Sequence, residues 1–152
     1  MKTDYELLLA QLAALTEDED DLIANLANAS ALLMDTLPHL NWAGFYLRRG
    51  EELVLGPFQG KPACIRIPMG KGVCGTAAAR DEIQLVPNVH AFPGHIACDS
   101  ASNSEIVLPL HFEGQVVGVL DIDSPSLNRF SQDDREGLSR FAAMLETACH
   151  WR

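Results

Sequence analysis

The sequence predicts an α+β fold, a mostly antiparallel sheet with N- and C-terminal helices on one face and a loop-built pocket on the other. Three observations carry this. Apolar residues recur at helical spacing near both ends of the chain, the middle alternates with period two, and two strong strands flank a Gly-containing turn. The 152 residues fit a single domain, 1–152, and a 47% hydrophobic share supplies its core.

The opening stretch, MKTDYELLLAQLAALTEDED, reads as a helix. Asp4 and Glu6 stand where a signal peptide needs a basic region, and Gln11 interrupts the apolar run, so the chain is expected in the cytoplasm. Thr16 to Glu19 has the form of a capping box for a second helix. In that helix Leu22, Leu26, Ala29, Leu33 and Leu37 share one face up to Pro38. At Trp42 the period becomes two, with Ala43, Phe45 and Leu47 on one side and Trp42, Gly44 and Tyr46 on the other. Short strands are expected around Leu53 to Leu55 and Cys64 to Ile67, then a small helix from Val73 to Arg80. A loop rich in Pro, Gly, His and Asp runs from Pro87 to Ser104. The closing helix, capped by Ser131, carries Leu138, Phe141, Ala142, Leu145 and Cys149 on one stripe.

The hairpin from Glu105 to Ile122 is the most informative segment. Ile106, Leu108 and Leu110 share a face on its first strand, and Val116, Gly118, Leu120 and Ile122 on its second. A two-residue turn at Glu113-Gly114 would pair Ile106 with Asp121 and mix the faces. A three-residue turn, with Gly114 left-handed in a bulge, pairs His111 with Gln115 and sets Glu105 opposite Asp121. Asp123 lies two residues further along the same face. Three carboxylates so gathered repel one another, and at least one pKa should rise enough to keep a proton for general-acid work.

Composition excludes several functions. Eleven Lys+Arg against 21 Asp+Glu, a net charge of -10, argue against nucleic acid and anionic membranes as partners. No apolar run is long enough to span a bilayer. Four cysteines are too few for a disulfide scaffold. Cys149 belongs to a core stripe. Cys64, alternating with Ile65 and Ile67, falls on the pocket side. Cys74 opens the small helix, where the positive dipole end favours thiolate, so spacing alone makes it the nucleophile candidate. Cys98 is followed by Asp99, which disfavours its thiolate. His90, His95 and Cys98 invite a zinc reading but lack the close paired ligands of familiar zinc sites, so no metal is expected.

Four segments carry a family resemblance: Gly72-Val73-Cys74-Gly75-Thr76-Ala77, His95-Ile96-Ala97-Cys98-Asp99-Ser100, Ser104-Glu105-Ile106-Val107 and Gly118-Val119-Leu120-Asp121-Ile122-Asp123-Ser124. Together they resemble the free methionine-(R)-sulfoxide reductases, single GAF-domain proteins, over nearly the whole chain. The resemblance implies that Cys98 is the catalytic cysteine, Cys64 its resolving partner, and Cys74 a third cysteine that assists disulfide exchange. It implies Trp42 and Tyr46 as pocket aromatics and Glu105, Asp121 and Asp123 as substrate-binding carboxylates. The implied substrate is free methionine-(R)-sulfoxide and the implied reductant thioredoxin, with no cofactor. The oligomeric state stays open, a homodimer included. The rival reading is a non-enzymatic GAF sensor of a small molecule, for which the cysteines would be dispensable.

Overall fold

A computed structural model describes residues 2–96 and 101–151. Its frame is a six-stranded antiparallel sheet in the order β3-β2-β1-β6-β5-β4. The strands are β1 (Trp42–Arg49), β2 (Glu52–Gly60), β3 (Arg66–Pro68), β4 (Gln84–Val86), β5 (Ser104–Phe112) and β6 (Gln115–Ser124). Helices α1 (Tyr5–Thr16), α2 (Leu22–Thr36) and α4 (Gln132–Ala148) cover one face. The short α3 (Gly72–Arg80) lies on the other.

Helices α1, α2 and α4 start where the chain offers a side-chain acceptor to the orphan N–H groups of a first turn. Asp4 accepts from Leu7 N at 3.0 Å, Asp21 from Ala24 N at 2.9 Å and Ser131 from Asp134 N at 3.2 Å. Asp21 therefore does what the sequence suggested for Thr16. Thr16 instead ends α1, its Oγ1 donating back to Leu12 O at 3.0 Å. The predicted stripes of α2 and α4 do pack together in the main core, with Ala43, Phe45, Leu47, Ile106, Leu108 and Leu120.

The hairpin register differs from the expected one. Glu113 and Gly114 both have positive φ, at 51° and 76°, and form a two-residue turn that pairs Phe112 with Gln115. The extra residue sits inside β6, where the register shifts between Leu110↔Gly118 and His111↔Val116. This bulge turns Val117 toward the main core and Val116 toward the opposite face, reversing their predicted sides. Beyond it the faces agree with expectation, but Glu105 pairs with Asp123, and Val107 with Asp121. The carboxylates share a face as predicted, shifted by two residues.

A second irregularity shapes the other flank. Gly56 and Pro57 lie opposite Phe45, so β2 carries an extra residue and runs longer than the short strand expected. The bulge brings Phe58 over Gly44, where a Cβ would meet the Phe58 Cβ at 2.3 Å. Phe58 in turn stacks on Trp42, with ring centroids 5.1 Å apart. Gly44→Ala must displace backbone and aromatic stack together. We expect it to cost about 1–3 kcal/mol in urea unfolding; an unchanged midpoint would show that β2 has more room than the geometry allows.

Candidate active site

The site grows from the register of three central strands. On the face opposite the main core, Trp42, Asp123 and Glu105 form one cross-strand row, and Gly44, Asp121 and Val107 the next. Both acids of β6 therefore stand in the middle of the sheet, beneath α3. Glu105, Asp121 and Asp123 are only 7%, 5% and 9% exposed, so they are not strand-end acids facing water. Gly44 adds no side chain beside Asp121. Trp42 and Tyr46 both line the pocket, their rings stacked with centroids 5.9 Å apart. The pocket holds about 500 Å³, mouth included.

Hydrogen bonds fix the aromatic wall. Trp42 Nε1 donates to Lys61 O at 3.1 Å and Tyr46 Oη to Cys64 O at 2.9 Å. Burial, and then Asp121, push the Tyr46 phenol up and keep it a donor. The same two bonds anchor the chain around Cys64 along the sheet edge. Cys64 is half-buried against the pocket-side cluster, as expected, but alternation is not the cause. The strand begins only at Arg66, and Ile65 is exposed while Ile67 is buried on the pocket side.

Cys74 occupies the first turn of α3, as the spacing predicted. Its thiol donates to Asp121 Oδ2 at 3.3 Å and lies 4.0 Å from Glu105 Oε2. Burial, and then Asp121 and Glu105, push this thiol well above its ordinary range. The dipole argument for a Cys74 thiolate is thereby overturned, since desolvation and neighbouring charge outweigh a helix end. Glu105 is likewise raised well above the usual carboxylate range, by burial first and then by Asp121 and Asp123. Glu105 is thus the carboxyl whose environment favours the protonated form. Asp121 Oδ1 is buried with no hydrogen-bond partner among the described residues.

The other predicted residues divide clearly. Cys149 packs in the main core, and burial pushes its thiol up to about 11. Cys98 lies outside the described residues. His95 lines the pocket, and burial followed by His90 lowers its pKa. His90 bonds Asn103 Oδ1 at 3.0 Å. Among the described residues, the donors that cluster tightly enough for a cation are Cys74, Glu105 and Asp121, all within 4.8 Å, rather than the histidines. Lys71, Ile96 and Ser102 also line the pocket and were not singled out from sequence. The glycines flanking Lys71 were the available signal for it.

The raised Glu105 has a consequence for stability. A carboxyl whose folded pKa exceeds its unfolded one stabilises fully below the unfolded value, about 4.3, and that contribution is lost as pH rises through the folded pKa. Glu105→Gln removes the loss. Its unfolding free energy in urea should gain on that of the unaltered chain as pH rises from about 5 to 9. Parallel pH profiles would contradict a protonated Glu105.

Comparison with known proteins agrees with this geometry. The GAF domain family matches residues 8–149. Protein YtsP of Bacillus subtilis is 63% identical over 147 residues, covering 95% of this chain and 90% of that protein. Free methionine-R-sulfoxide reductase of Escherichia coli is 59% identical over 142 residues, covering 93% and 86%. The structure of fRMsr of Staphylococcus aureus in complex with substrate superposes with a TM-score of 0.93 at 51% identity, covering 97% of each chain. The chain belongs to the free methionine-R-sulfoxide reductases, a family built on the GAF domain.

Proposed function

We propose that this chain reduces free L-methionine-(R)-sulfoxide to L-methionine in the cytoplasm, using Cys98 as attacking thiol, Cys64 as resolving thiol and thioredoxin as final reductant. The observation that carries this reading is the buried carboxylate group, in which Glu105, pushed up by burial and by Asp121 and Asp123, lies beside an Asp121 Oδ1 with no partner among the described residues. A buried acceptor without a donor is costly. A substrate ammonium supplies that donor, and Asp123 neighbours it on β6. Trp42 and Tyr46 give the methylthio end an apolar wall, with favourable sulfur–aromatic contact. The first turn of α3 has no side-chain cap, and Lys71 stands at its start, so the substrate carboxylate meets the positive helix end.

With the substrate so held, the Cys98 thiolate attacks the sulfoxide sulfur while Glu105 passes its proton to the sulfoxide oxygen. Methionine leaves, and Cys98 keeps the oxygen as a sulfenic acid. The Cys64 thiol displaces it as water and closes a disulfide, which an external dithiol reduces to two thiols. That Cys64 is disulfide-bonded supports its part in this cycle. Cys74, held protonated during the attack, is left for later disulfide exchange.

Two experiments test the reading. Cys98→Ser should form no methionine even in a single turnover. Cys64→Ser should form one equivalent and then stall with thioredoxin. Normal turnover by Cys98→Ser would remove the proposed nucleophile. N-acetylation of the substrate takes away the ammonium charge and strands Asp121. We expect kcat/KM to fall by roughly a hundredfold or more. Equal rates on the two substrates would contradict ammonium recognition by the carboxylates.

A further inference from the structure

The longest stretch of the chain without an acidic residue surrounds Cys64. From Leu53 to Arg80 there is no Asp or Glu, while Lys61, Arg66, Lys71 and Arg80 fall within it, in a chain of net charge -10. Arg66 pairs with Glu52 at 2.5 Å. Lys61 is exposed and has no ion pair among the described residues. Between them stands Ile65, 65% exposed, the most exposed large hydrophobic side chain of the described residues.

Its backbone is firmly held. Ile65 O accepts from Leu55 N at 2.8 Å, Cys64 O from Tyr46 Oη at 2.9 Å and Lys61 O from Trp42 Nε1 at 3.1 Å. An apolar side chain is thus presented on a rigid sheet edge, directly beside a disulfide-bonded cysteine.

We propose that residues 61–66 form the docking surface for an acidic dithiol protein, which covers Ile65 and attacks the Cys64 sulfur. The proposal rests on the thiol-recycling reading above. The partner's thiolate bonds to the Cys64 sulfur. The disulfide breaks with its electron pair leaving on the other cysteine, which takes up a proton. The partner's second thiol then displaces Cys64 as a thiol and leaves the partner oxidised. The exposed Lys61 on an acidic protein favours encounter with an acidic partner, and the isoleucine supplies the apolar contact that holds it.

The test drives turnover of free methionine sulfoxide with an acidic thioredoxin, kept reduced by its reductase and NADPH, and separately with dithiothreitol. Ile65→Ser and Lys61→Glu should each raise the KM for thioredoxin by roughly five- to tenfold. The KM for the sulfoxide and the dithiothreitol-driven rate should not change. Added salt should raise the thioredoxin KM of the unaltered chain more than that of Lys61→Glu. An unchanged thioredoxin KM in both variants, or an equal loss with dithiothreitol, would overturn the docking surface. Absence of turnover with dithiothreitol in the unaltered chain would instead overturn the reductase reading, and the docking surface with it.

Discussion

The structure turns on burying three carboxyl groups on one face of the sheet. Acids under a helix are costly to ionise, and three together cost more than their sum. The chain meets this with a raised proton affinity at Glu105 and a thiol donated to Asp121 by Cys74. One oxygen of Asp121 has no hydrogen-bond partner among the described residues. The opposite face carries the main apolar core that holds the fold.

The frame divides labour between rigid and local features. The aromatic wall is tied by hydrogen bonds from the two large rings to backbone carbonyls at the sheet edge, which also positions Cys64. The bulges in β2 and β6 set what the wall and floor can reach. One brings Phe58 over Gly44, and the other aligns Glu105 with Asp123. The β6 bulge keeps the acids on one face, since the two-residue turn without it would pair Ile106 with Asp121. The site thus keeps its chemistry while its pairing shifts.

Much of this was legible in the residues. Strict alternation in β1 and the apolar stripes of α2 and α4 assigned faces correctly, because period and burial are tightly linked. The shared face of Glu105, Asp121 and Asp123 followed from the same alternation, and a raised carboxyl pKa followed from their crowding. The exact partner did not follow. An extra residue in the turn and an extra residue in β6 both preserve the faces, and face patterning alone cannot tell them apart. Thr16 was misread because Asp21, five residues on, is an equally good cap and lies next to the apolar run. The Cys74 thiol shows the limit of local electrostatics. A helix end favours thiolate, but the carboxylates that oppose it come from strands more than thirty residues away.

The central claim, that a protonated Glu105 sits in a carboxylate pocket at neutral pH, is most directly tested by infrared difference spectroscopy of the intact chain against Glu105→Gln. The account predicts a protonated-carboxyl C=O stretch at neutral pH that disappears in the variant. A neutral-pH spectrum without that band, or a band that persists in Glu105→Gln, would contradict it.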